Sequence, residues 1–182
     1  DEAGNGNKEM SKTTTIDKTA PTATITAEPS GNPTNADKIT YTFTFSENVS
    51  GFTAEDIEVT NGTKGEFTKV DEKTYKIVVT NTESCEQTVS IKANACTDEA
   101  GNGNKEASKT VTIDKNVPVC NITANTGDLS NANEITYTFT FSRDVTDFTA
   151  DDIKVENGTK GTFTKVSDKE YTLVEKRTND GK

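Results

Sequence analysis

Every second residue from Ile39 to Phe45 is apolar: Ile39, Tyr41, Phe43 and Phe45 alternate with Thr40, Thr42 and Thr44. A period of two places successive side chains on opposite faces of an extended strand. The same rhythm runs through Tyr75, Ile77 and Val79, and through Val89, Ile91 and Ala93. Threonine holds many of the alternate positions, where a β-branched polar side chain suits a solvated strand face. Turn-forming stretches separate the runs: "SGNPTNAD", "NGTKG", "VDEK" and "NGN". No segment keeps a helical spacing.

The pattern predicts seven strands, near Thr22–Thr26, Lys38–Ser46, Ile57–Thr60, Gly65–Val70, Thr74–Thr80, Thr88–Ala93 and Lys109–Ile113. Seven short antiparallel strands with one apolar face each suggest a two-sheet, all-β sandwich of the immunoglobulin (Ig) type. An up-and-down barrel fits less well, because short strands joined by long loops close poorly.

The pattern also repeats. "DEAGNGNKE" begins at Asp1 and again at Asp98, and "TIDKTAPTATIT" from Thr15 matches "TIDKNVPVCNIT" from Thr112, both at an offset of 97. The stretch Lys38–Ile77 matches Glu134–Leu173 at an offset of 96. The lost residue falls in the Gly/Pro/Asn-rich stretch near Asn32–Asn35, as expected of a surface loop. Three pieces follow: residues 1–16 as the C-terminal strand and tail of one repeat, 17–113 as a complete repeat, and 114–182 as a third copy lacking its last two strands. Such a period is far longer than that of a solenoid and suits a string of separate domains.

Composition narrows the chemistry. The chain of 182 residues carries 30 Asp+Glu against 20 Lys+Arg, a net charge of −10. That charge repels nucleic acid and anionic membranes. No histidine is present, which removes the usual zinc ligand and the base of Ser-His and Cys-His catalysis. No apolar run reaches the ~20 residues that span a bilayer. The expectation is a protein that is not an enzyme.

Three ordered motifs carry a family resemblance: Asp17-x-x-x-Pro21, then Phe45-Ser-x-x-Val49 with Phe52-Thr-Ala-x-Asp-Ile57, then Asp98-x-Ala-Gly-Asn102. The chain resembles the bacterial Ig-like repeats of large surface adhesins, of the biofilm-associated-protein kind. The resemblance spans the whole chain. It implies an extracellular, cell-surface array that acts as a stalk and is often calcium-bound. The implied partners are neighbouring repeats of the same chain, with host or cell-surface ligands engaged through other domains. It implies neither nucleic acid nor membrane insertion.

In a sandwich of this connectivity alternate loops share an end. The incoming linker with Asp17, the loop Ser46–Asp56 with Glu47, Glu55 and Asp56, and the loop Cys96–Glu106 with Asp98, Glu99, Asn102 and Asn104 therefore meet at one pole. Clustered carboxylates repel unless a cation joins them, and Ca²⁺ takes six to eight oxygens. The residues alone also fit a polar loop folded by Asx-turns, with no metal. The resemblance favours calcium, with Asp17, Glu55, Asp56, Asp98, Asn102 and Asn104 as ligands and Glu47 and Glu99 as weaker candidates. The third copy offers Asp114, Asp151 and Asp152 without the second loop, so it is expected to bind calcium weakly or not at all.

Two other readings compete with the stalk. A glycan- or protein-binding module calls for an exposed aromatic platform, whereas the aromatic residues alternate inward or flank loops. An accessory module of a secreted hydrolase would place its catalysis outside this sequence. Cys85, Cys96 and Cys120 are expected as free or half-buried thiols, with a Cys85–Cys120 bridge as the alternative.

Overall fold

A computed structural model describes residues 1–127 and 130–177; the end of the third repeat, 178–182, and residues 128–129 lie outside the described residues. The chain divides into two compact units, Asp1–Lys115 and Asn116–Lys182.

The first unit is an Ig-like β-sandwich of seven strands. They are β1 (Ala23–Glu28), β2 (Lys38–Phe45), β3 (Ile57–Thr60), β4 (Thr63–Lys69), β5 (Thr74–Thr80), β6 (Cys85–Ile91) and β7 (Ala107–Ile113). One sheet runs β1-β2-β5-β4 and the other β3-β6-β7. All ladders are antiparallel, with Ile39 opposite Val79 and Phe43 opposite Tyr75 in the first sheet. Ile57 stands opposite Ile91 in the second. The inward residues of both sheets form one core, which includes Ile39, Tyr41, Phe43, Ile57, Ile77, Val79, Val89, Val111 and Ile113. Each fully buried aliphatic or Phe side chain contributes about 1.5–3 kcal/mol. The threonines facing away from this core need no such burial.

The observed strands depart from the alternation at β6. It begins at Cys85 rather than Thr88 and ends at Ile91, with Ala93 exposed. Its inward position ahead of Val89 is Gln87, which is fully buried. Tyr41 Oη donates to Gln87 Oε1 at 2.8 Å. Gln87 Nε2 in turn donates to Asn61 O at 3.0 Å and to Asn81 Oδ1. A polar residue satisfied inside the core breaks the apolar rhythm without breaking the strand.

The second unit contains β8 (Cys120–Ala124), β9 (Glu134–Phe141), β10 (Thr159–Lys165) and β11 (Glu170–Lys176), in the order β10-β11-β9-β8. This is the counterpart of the β1-β2-β5-β4 sheet. Residues 153–155, which match β3, form no strand. In the first unit that strand is paired by β6, and the sequence of the second unit holds no match to β6 or β7.

Candidate metal centre

Three chain-distant segments meet at one end of the first sandwich. The incoming linker is tied down first. Lys105 N donates to Pro21 O at 2.8 Å, Thr22 N to Ser46 Oγ at 3.0 Å, and Asn102 Nδ2 to Asp17 O at 3.2 Å. The linker that carries Asp17 is thus bonded to both neighbouring loops.

Glu47 sits on a turn pinned from both sides. Phe45 N donates to Lys73 O at 2.8 Å and Val49 N to Glu72 O at 2.9 Å. Tyr75 Oη donates to Val49 O at 3.2 Å from within the core. Further along the loop, the Phe52 ring enters the core edge-on to Phe43, Phe45 and Tyr75, with centroids 5.5, 5.2 and 5.1 Å away. Aromatic pairs of this geometry add about 0.5–1.5 kcal/mol each beyond their burial.

Asp98 opens a tight turn built by its own neighbours. Asn102 N donates to Asp98 Oδ1 and Asn102 Nδ2 to Asp98 Oδ2, both at 2.8 Å. Gly101 lies at φ +90°, where an L side chain is strained. The side-chain amide of Asn102, with the backbone N–H groups of the turn, holds the Asp98 carboxyl below its usual 3.8. Ser50 N to Thr97 O at 2.8 Å and Thr97 N to Ser50 O at 3.1 Å stitch this loop to the one bearing Glu47.

Carboxylate oxygens of Asp17, Glu47 and Asp98 consequently lie within 4.8 Å of one another. Asp98 is buried, Glu47 half-buried and Asp17 exposed. Asn48, Lys73 and Glu99 line a depression together with Asp17 and Glu47. Two oxygens bound to one Ca²⁺ at about 2.4 Å can be no more than about 4.8 Å apart. The triad fits that span.

The remaining sequence candidates lie elsewhere. Asp56 Oδ2 accepts from Thr53 N at 2.8 Å and Thr53 Oγ1 at 2.9 Å, closing a capping box on the 3-10 turn Ala54–Asp56. Glu55 is exposed on that turn and outside the converging carboxylates. Asn104 is buried, and its side chain holds the loop together. Its Oδ1 accepts from Cys96 N at 2.8 Å, and its Nδ2 donates to Lys92 O and Lys105 O. Asn102 acts through Asp98, orienting the carboxylate with its amide. The three thiols are free. Burial pushes the Cys96 thiol up to about 11, so it stays protonated at neutral pH.

The sandwich and its loops agree with a comparison against family models: the bacterial Ig-like domain matches residues 17–115 and again 114–174. The chain belongs to the bacterial Ig-like domain family. No match was found among curated proteins or among solved structures. Bacterial Ig-like domains are typically non-catalytic binding or structural modules, often on cell-surface proteins. No helix among the described residues is long and apolar enough to cross a membrane.

The second bacterial Ig-like unit reproduces one sheet and its adjoining loop and changes the site. Thr149 and Asp152 form the same capping box, and Tyr171 Oη donates to Val145 O at 3.0 Å. Glu47, however, is matched by Arg143, and no residues match the Asp98 loop. Arg143 Nη1 donates to Asn116 O at 3.3 Å. Glu47 is thus an acid that differs between the copies, whereas Asp56 and Asp152 are kept and make the same capping box, and Asp17 is kept as Asp114.

Proposed function

We propose that this chain is a spacer segment of an extracellular bacterial surface adhesin, in which each complete repeat carries a calcium ion where the incoming linker meets its two loops. The observation that carries the reading is the convergence of Asp17, Glu47 and Asp98 from three segments far apart in sequence. The tandem repetition of a non-catalytic module supports the spacer role. Three carboxylates supply up to six of the oxygens that Ca²⁺ takes, and water completes the shell. The three carboxylates repel each other when bare, and a divalent cation reverses the sign of that interaction.

Bound there, the ion cross-links linker and loops. Asp17 is the one member outside any strand-flanking loop, so its capture fixes the angle at which the preceding chain joins β1. The partners are adjacent repeats of the same chain. Thermal unfolding tests this. A ligand selective for the folded state contributes about 2.7 kcal/mol at a hundredfold excess over Kd, so the midpoint of the first unit should climb with millimolar CaCl₂ and much less with MgCl₂. Glu47→Gln and Asp98→Asn should each abolish the rise. A midpoint indifferent to calcium, or equally responsive to both ions, leaves an inert spacer.

A further inference from the structure

Asn102 has two properties that conflict chemically. Its side-chain amide donates to Asp98 Oδ2 at 2.8 Å and to Asp17 O at 3.2 Å, tying the Asp98 turn to the incoming linker. It also precedes Gly103, a position with room only for glycine. A Cβ at Gly103 would press on Asn94 Oδ1, 2.8 Å from Asn94 Cγ and 3.1 Å from its Cα. An asparagine followed by glycine is the pair most open to intramolecular attack, because no side chain shields the next backbone nitrogen from the carboxamide carbon.

The pairing within the loop leaves that nitrogen unused. Thr97 and Gly103 face each other in an antiparallel bridge. Its hydrogen bonds run from Asp98 N to Asn102 O at 3.1 Å and from Asn104 N to Cys96 O at 3.0 Å, and the Gly103 N–H between them joins neither. Asn104 shows the opposite arrangement. The nitrogen after it, Lys105 N, donates to Pro21 O, and its own side-chain oxygen accepts from Cys96 N. The Asn102 side chain is held through its amide, donated to the carboxylate of buried Asp98. Such a charge-assisted bond is stronger than a neutral one.

We propose that Asn102 is a site of spontaneous covalent modification and that Asp98 sets its rate. Gly103 N bonds to Asn102 Cγ, the Cγ–Nδ2 bond breaks, and ammonia leaves with the proton from the Gly103 nitrogen. Water then opens the cyclic imide at either carbonyl, giving aspartate or isoaspartate at position 102. Nδ2 must let go of Asp98 Oδ2 before it departs, so the bond to the carboxylate opposes the reaction. The product reverses that contact. A donor toward Asp98 Oδ2 and Asp17 O becomes an anion beside both, and the linker loses its tie at Asp17. The modification is a one-way release of Asp17 from this loop, and it requires no bound cation.

The test incubates the full chain in mildly alkaline buffer with a chelator, so that no cation bears on the outcome. Peptide mapping by mass spectrometry follows aspartate and isoaspartate at position 102 with time. Asn61, which also precedes glycine and whose amide donates to Glu86 O at 2.9 Å, is the reference in the same molecule. Product should accumulate at Asn102 in the folded chain about tenfold more slowly than in denaturing guanidinium chloride, the rate equivalent of one charge-assisted bond. In a folded Asp98→Ala chain that protection should vanish at Asn102 while Asn61 keeps its rate. Acceleration at both marks a variant that does not fold, and the guanidinium comparison on the unaltered chain then decides. The proposal is overturned by no product at Asn102 in the folded chain, by equal rates in folded and denatured chain, or by an unchanged rate at Asn102 in folded Asp98→Ala.

Discussion

Asp98 and Asn102 show how a five-residue stretch can determine its own geometry. The stretch "DEAGN" occurs twice, and in both places the Asp carboxylate accepts from the Asn backbone and side-chain amides: Asn5 N to Asp1 Oδ1 at 3.0 Å and Asn5 Nδ2 to Asp1 Oδ2 at 2.9 Å. In both copies the bonds run between residues four apart in sequence, so the turn is local chemistry. What the sandwich adds is Asp17 and Glu47. The hydrogen bonds from Asn102 hold the Asp98 pKa below its usual 3.8. A depressed folded-state value means that Asp98 contributes stability above the unfolded value, and that this is lost as pH falls through the lower, folded one. Carboxyl NMR should therefore give a titration midpoint for Asp98 below 3.8, and Asn102→Ala should return it toward that value. Gln87 makes a second prediction at this scale. Tyr41 Oη, whose pKa burial pushes up to about 12, remains a donor throughout the neutral range. Gln87→Leu strands Tyr41 and Asn81 at once and should cost about 2–4 kcal/mol in urea unfolding. Sequence reading missed Gln87 because a search for apolar alternation passes over a polar residue that finds all its partners inside.

Strands built on uninterrupted Thr/apolar alternation, β2 and β5 above all, were legible because a period of two admits only one reading of which face is buried. The acidic loops were legible only as a neighbourhood. Loop connectivity sends Asp17, Glu47 and Asp98 to one end, yet the sequence does not say which carboxylates in that crowd are already engaged. Asp56 caps its own 3-10 turn and Asn104 braces the loop from within; both look like ligands until the backbone groups they serve are known. The element that orders the Glu47 loop is its aromatic plug. Phe52→Ala removes ring contacts to Phe43, Phe45 and Tyr75, and should lower stability by about 3–5 kcal/mol, as large core truncations do. Because the Phe52 side chain offers no oxygen to a cation, any accompanying loss of calcium affinity would report loop order rather than a lost ligand. Calorimetric titration at a temperature where the variant stays folded separates the two.

At the scale of the whole molecule, the two units share a sheet and differ in what meets at its end. The first has Glu47 and the Asp98 loop; the second has Arg143 and no counterpart of that loop. Calcium should therefore slow hydrogen exchange across β1–β7, most at residues 17–22, 46–50 and 97–104, and leave β8–β11 unchanged. With a net charge of −10 the chain will also gather cations loosely, so a background of exposed acids must be told apart from the triad. Loose binding is screened by salt, whereas a partly buried site is screened much less. Isothermal titration of the full chain with CaCl₂ in 0.15 M KCl is the most direct measurement. The account predicts one saturable site per chain, lost in Asp98→Asn and in Glu47→Gln and kept in Glu55→Gln. A site that survives both of the first two substitutions, or no saturable binding at all, contradicts it.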